Sequence, residues 1–159
     1  MKDIILETLG KLAPDLKLLQ DDFYIIGGSA LILHDVSLKR THDIDILCSV
    51  RDVDMLKAAW GKYYNPHPNM KENDLFCSHF ANFKFPLIEV ETLGELKVKK
   101  AGQWMPLIIE EYETIQIEGI EVKMPTLSEM KRILNFFGRE KDLRRIQEID
   151  NYWYSNRNI

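Results

Sequence analysis

The chain has 159 residues, 45% of them hydrophobic and 29% charged, with a formal net charge of -4. That is enough apolar material for one core and too little length for two full-sized domains. The charge excludes a molecule-wide electrostatic attraction for nucleic acid, and no apolar run approaches the roughly 20 residues of a membrane span. The N-terminal stretch intersperses Asp, Glu and Lys among its apolar residues, unlike a secretory signal, so the expected location is the cytoplasm.

Ile5, Leu9 and Leu12 recur at helical spacing and predict an amphipathic helix over residues 2–12, with Pro14 restarting a short turn over 16–19. Residues 23–26 read as a short strand, and 29–34 as a helix beginning at Ser29. Residues 43–48 alternate at their start like a strand. Residues 52–64 predict a surface helix, and 65–73, with two prolines and three asparagines, a loop. Two strands follow over 75–83 and 87–92, joined through 84–86. Residues 114–117 and 120–123 flank Glu118-Gly119 as a tight hairpin. Two helices close the chain, 127–137 and 141–154, with Gly138 as the C-cap between them. Strands in the middle and helices at the ends predict an α+β fold, a mixed sheet covered by helices. One domain over 1–159 is expected, its core at about 20–125 and its C-terminal helical part at about 126–155.

If residues 23–26 are a strand and Ser29 opens a helix, Gly27-Gly28 is the turn between them. Glycine there admits close approach of a ligand, the first helical N–H groups lack partners, and Ser29 can cap the helix or meet a phosphate. Asp43 and Asp45 project from one face of their strand, with Cα atoms about 6.6 Å apart, while Ile44 and Ile46 point into the core. Two adjacent carboxylates repel, and a divalent cation such as Mg²⁺ resolves that repulsion. A second apolar strand carries Glu89 and Glu91, again on one face. Three carboxylates holding two metal ions can orient a nucleoside triphosphate for in-line attack on its α-phosphorus.

Gly27-Gly28-Ser29, then Asp43-x-Asp45, then a later strand carboxylate, together resemble the DNA polymerase beta-type nucleotidyltransferase superfamily, with its antibiotic nucleotidyltransferase and abortive-infection-type branches. Thr41-x-Asp43-Ile44-Asp45 fits that group's Arg-x-Thr-x-Asp-hydrophobic-Asp pattern, although Lys39 stands at the Arg position and Arg40 one residue later. Met124-Pro125, Lys131 and Arg139-Glu140-Lys141-Asp142 are similar to the ending of the abortive-infection-type branch. The resemblance covers residues 23–50 and 87–150. It implies a nucleotidyltransferase-like fold and metal-dependent transfer of a nucleoside monophosphate from an NTP to a hydroxyl, releasing pyrophosphate. By position, it implies that Asp43, Asp45 and a third carboxylate bind Mg²⁺ or Mn²⁺. Gly27, Gly28 and Ser29 hold the phosphates, and Lys131 reaches the triphosphate. Arg40 either contacts phosphate or pairs with a nearby acid. The third carboxylate falls on Glu91 in preference to Glu89, where the strand leaves the core, and acts as general base. Glutamate there is one methylene longer than the family's usual aspartate.

The acceptor is a small molecule, a tRNA end or a protein side chain. The alternative is a nucleotide-binding or toxin/antitoxin-type partner module that keeps the fold without turnover. Residues 131–145 hold six bases against two acids. Residues 98–109, with Trp104, Met105 and Leu107, offer a surface on which a second subunit, for example in a homodimer, would complete the cleft. Cys48 and Cys77 read as reduced thiols, Cys77-Ser78-His79 being a remote option for a metal. The three tryptophans read as packing residues, and His42 as peripheral.

Overall fold

The computed structural model describes residues 1–39, 41–68 and 74–157. Helix α1 (Lys2–Leu16) runs through Pro14 without breaking. Proline there forfeits one backbone bond, but Ala13 and Leu16, 2% and 1% exposed, dock the last turn against the core. Strand β1 (Tyr24–Ile26) passes directly into α2 (Gly27–Leu33), whose N-cap is the extended Ile26. The helix therefore starts two residues earlier than expected. Gly27 takes φ +72°, a conformation that costs other residues strain, and so bends strand into helix without a connecting loop.

Strand β2 (Asp43–Cys48) has the expected bounds. Helix α3 (Val50–Ala59) is capped by Ser49, which accepts from the Asp52 N–H, and ends five residues short of the expected end, with Trp60 as its C-cap. Trp60 stops it: its indole N–H donates to Asp15 at 2.8 Å, and its ring packs edge-on against Phe83 and Phe85. Tyr64–Asn65 then pair as a two-residue strand, β3, with β4 (Phe76–Lys84), so the expected loop begins with a strand.

Strand β5 (Glu89–Lys100) is twice the expected length and continues through Gly94, paired at its far end with β6 (Gln103–Pro106). The alternation of Glu95, Lys97 and Lys99 with the buried Leu96 and Val98 carries it onward. Trp104 and Met105 on β6 are exposed, and Leu107 is buried. The hairpin of β7 (Tyr112–Ile117) and β8 (Ile120–Pro125) turns at Glu118-Gly119, both with positive φ, as a tight turn requires. Helix α4 (Leu127–Phe137) ends at a left-handed Gly138, and α5 (Glu140–Asn156) follows.

The sheet order is β3-β4-β5-β2-β1-β8-β7, with β6 added on β5. It is mixed: β2 runs parallel to β5 and antiparallel to β1, and β1 runs parallel to β8. Strand β2 is therefore central, and Ile44, Ile46 and Val90 have no solvent exposure. Helix α2 packs on β1 and β2, α3 on β4 and β5, and α4 bridges α2 and α5. No helix among the described residues is long and apolar enough to cross a membrane.

Candidate active site

The parallel β2–β5 register sets Asp43 opposite Glu89 and Asp45 opposite Glu91. In a parallel pair, facing residues share a face, so four acids project together from the centre of the sheet. Ligand oxygens of Asp43, Asp45 and Glu91 lie within 4.8 Å of one another, which selects Glu91 over Glu89 as the third member of the group. All three side chains are half-buried.

Their electrostatics follow from this crowding. Burial raises the Asp43 carboxyl above the ordinary range, opposed by Lys141 and reinforced by Glu89. Asp45 is pushed well above it, by burial first and then by the charges of Asp43 and Glu91, and a hydrogen bond to Glu91 pushes it the same way. Glu91 rises to about 7, again through burial and then Asp43. A divalent cation reverses this balance, since it replaces protons on hard oxygen donors. The donor set, all carboxylate oxygens, suits Mg²⁺ or Mn²⁺ and not a thiolate metal. It is the only such group of three or more among the described residues. Cys77 is exposed, and His79 is engaged by Asp54 at 2.8 Å.

The Gly27–Ser29 turn adjoins the acids. A methyl placed on Gly27 would sit 2.5 Å from Asp45 Oδ2, so the missing side chain is what lets β1 approach the carboxylate. A methyl on Gly28 would sit 2.8 Å from Thr41 Oγ1 and 3.1 Å from an Arg145 guanidinium nitrogen. Ser29 is fully buried, and its hydroxyl donates to the Asp43 backbone carbonyl at 2.7 Å; Thr41 donates to the same oxygen at 3.3 Å. The serine hydroxyl thus fixes the start of β2, and only the backbone N–H groups of the turn remain to meet a ligand.

Lys131 is not brought to the acids. Its ammonium donates to Asp150 at 2.7 Å and lies over the Trp153 ring. Asp150 is nine residues beyond Lys141 on α5, about 13 Å along the helix. The cationic groups whose fields reach the carboxylates are Lys141 and Arg145, from the first half of α5, together with His42 beside Asp43. Desolvation, then Arg139 and Arg145, lower the Lys141 pKa. Arg40 lies outside the described residues.

Two positioning groups were given no role in the sequence reading: Asn82 went unnoticed, and Asp142 entered only as part of the Arg139–Asp142 motif. Asn82 of β4, 2% exposed, donates its amide to Glu89 at 3.3 Å and to Glu91 at 3.4 Å, and accepts from Asn65 at 3.1 Å. Asp142, fully buried, accepts from the Arg139 N–H at 3.1 Å and from its guanidinium at 2.7 and 3.0 Å. That clasp fixes the first turn of α5, and with it Lys141.

A mixed sheet with a glycine turn beside a carboxylate pair and a third carboxylate on the parallel neighbour defines the nucleotidyltransferase-like class. The solved structure of a putative nucleotidyltransferase from Thermotoga maritima superposes with a TM-score of 0.71 at 19% identity, covering 92% of each chain. The lincomycin-bound lincosamide antibiotic adenylyltransferase LnuA superposes with a TM-score of 0.56 at 12% identity, over 92% of this chain and 94% of that one. Among curated proteins, none matches the chain in sequence. The family described as "Nucleotidyltransferase of unknown function (DUF6036)" matches residues 4–150, and the chain belongs to it.

Proposed function

We propose that the chain transfers a nucleoside monophosphate from an NTP to a hydroxyl acceptor in a divalent-metal-dependent reaction. The observation that carries this reading is the convergence of Asp43, Asp45 and Glu91 within 4.8 Å at the mouth of the Gly27–Ser29 turn. The acceptor oxygen forms a bond to the α-phosphorus, the bond from that phosphorus to the β-phosphate oxygen breaks, and pyrophosphate leaves. Bound Mg²⁺ or Mn²⁺ would neutralise charge on the phosphates and on the attacking oxygen.

Asp43 and Asp45 would hold the metal jointly with Glu91. Glu91 would also take the acceptor proton. Asn82 would keep that carboxylate aimed across the sheet. Backbone N–H groups of Gly27 and Gly28 would meet the phosphates. LnuA, a structural neighbour, is an adenylyltransferase of lincosamide antibiotics, so small hydroxylated molecules belong in the acceptor panel beside tRNA ends and proteins.

The test is pyrophosphate release, assayed with each NTP, Mg²⁺ or Mn²⁺ and that panel. Release by the wild type that is lost in Asp43→Asn and Asp45→Asn, with both variants still folded, is the expected result. Release unaffected by either substitution refutes the site. Nucleotide binding with no release across the panel assigns the chain to the non-catalytic alternative.

A further inference from the structure

Strand β7 forms one end of the sheet, and its outer edge pairs with no other strand among the described residues. Its inner edge is fixed by the ladder to β8. The Thr126 N–H donates to the Glu111 carbonyl at 3.2 Å, one step before the strand begins. Backbone groups in an antiparallel strand alternate between its two sides, so Glu113, Ile115 and Ile117 turn theirs toward β8. The N–H and C=O groups of Tyr112, Thr114 and Gln116 therefore point away from the sheet, three donors and three acceptors along one line.

Open edges invite pairing with another chain, and proteins commonly blunt them with short strands, proline, lysine or bulges. The rest of this sheet follows that practice. At the opposite end, β3 has only two residues. On β6, the Leu107 N–H donates to the Leu96 carbonyl at 2.9 Å, so Trp104 and Pro106 face outward, and the N–H that Pro106 lacks is missing from that edge. Strand β7, with the sequence YETIQI, has no proline, no lysine and no break in its register with β8. Its one carboxylate, Glu113, is engaged within the chain, 3.2 Å from the His34 ring.

The exposed edge is also complementary to itself. Laid antiparallel against its own copy and centred on Thr114, it sets Tyr112 opposite the partner's Gln116, Thr114 opposite the partner's Thr114, and Gln116 opposite the partner's Tyr112. Each of these pairs exchanges two hydrogen bonds, so all the outward donors and acceptors are met. Glu113 then faces the partner's Ile115, and no like charges stand opposed. Moving the centre to Glu113 sets that carboxylate against its own copy. Moving it to Ile115 carries Tyr112 past the strand, opposite the partner's Glu118 in its turn.

We propose that two copies of the chain pair edge to edge through β7, antiparallel and centred on Thr114, to form one continuous sheet. This goes beyond the transferase reading and does not depend on it. Thr114 stands opposite Lys123, Lys123 opposite Tyr24, and Tyr24 shares a face with Ile26, which stands opposite Asp45. Thr114 and the acids therefore lie on one face of the sheet. The two-fold axis of such a pair is perpendicular to the sheet, so both acid clusters open on the same side of the dimer.

Sedimentation velocity and disulfide trapping on the full chain test this. The wild type should sediment as a dimer. Thr114→Pro removes donors at the centre of the interface but no bond to β8, and should raise the dimer Kd about tenfold to a hundredfold. Trapping uses a Cys77→Ser background, which removes the exposed thiol and leaves Cys48 buried. There Thr114→Cys should oxidise to a linked dimer, because Cα atoms in such a pair lie about 5.5 Å apart, within disulfide range. Tyr112→Cys and Gln116→Cys should link to each other when mixed, and neither to itself. A wild type that stays monomeric up to about 100 μM overturns the proposal. So does a folded Thr114→Pro with an unchanged Kd, or a Thr114→Cys that does not link. Tyr112→Cys linking to itself overturns the register. Should Thr114→Pro fail to fold, the trapping result decides alone.

Discussion

Replacing Glu91 by glutamine should make the metal-free protein more stable, although it removes a group proposed to be essential for the reaction. In the fold the Glu91 carboxyl titrates near 7, against 4.5 for an unperturbed glutamate. Between those values the native state holds more protons than the unfolded chain, so stability falls as pH rises and levels off above about pH 7. At about 1.4 kcal/mol per pH unit, ionising Glu91 in the native fold costs about 3 kcal/mol at pH 8. The Glu91→Gln side chain avoids that cost at nearly the same volume, but gives up part of the hydrogen bonding with Asp45 and Asn82. A net gain of about 1–3 kcal/mol is expected, a rise in Tm of about 3–10 °C for a chain of this size.

The assay is thermal unfolding in EDTA from pH 5 to pH 8, for wild type and Glu91→Gln side by side. The wild-type Tm should fall across the window, the variant's fall should be shallower, and the two should diverge most at pH 8. Mg²⁺ should reverse the order, since a ligand at a hundredfold excess over its Kd adds about 2.7 kcal/mol to the form that binds it. A variant that melts at or below the wild type at pH 8 in EDTA refutes the reasoning. Parallel pH profiles for the two proteins refute it equally.

Gly27→Ala should lose metal-dependent pyrophosphate release and several degrees of Tm, because the methyl meets Asp45 at 2.5 Å at a φ of +72°; wild-type turnover would show that the turn is not tightly set. Asn82→Ala removes a hydrogen bond that holds the Glu91 pKa down, so the acid limb of the pH–rate profile should move to higher pH; an unmoved limb would exclude Asn82 as the group that aims Glu91. Asp142→Ala orphans Arg139 at the head of α5 and should cost about 1–3 kcal/mol in denaturant unfolding, together with a raised KM for NTP. Loss of stability with KM unchanged would separate that clasp from Lys141.

The acid pair was legible because period-two alternation puts Asp43 and Asp45 on one face whatever the register. The third carboxylate was legible as a choice of Glu91 over Glu89, made from where the strand leaves the core. The parallel pairing of β2 with β5, a contact between segments about forty residues apart, brings both glutamates to the acid pair, and the side-chain placement that groups Glu91 with Asp43 and Asp45 is encoded by no local pattern. Asn82 was invisible for the same reason: its relation to Glu91 exists only through β4–β5 register. Ser29 was misjudged in chemistry, not in place, because a hydroxyl beside glycines looks available until the strand carbonyl that accepts it is known. Among the bases of residues 131–145, apolar neighbours pointed to Lys131. Yet how α4 and α5 cross determines which residue faces the sheet, and that geometry gives Lys131 to Asp150 and aims Lys141 and Arg145 at the acids.

The placement of the acids explains why the fold tolerates them. Each carboxylate stands on a strand whose alternate residues, Ile44, Ile46 and Val90, have no solvent exposure, so displacing an acid would expose the core beneath it. Ser29 and Thr41 tie down the first residue of β2, and Asn82 restrains β5 from the other side. The backbone therefore cannot relax away from the repulsion, which is met by retained protons and by cations from α5. A group held this way returns its electrostatic cost when a dication arrives, and the returned free energy appears as metal affinity.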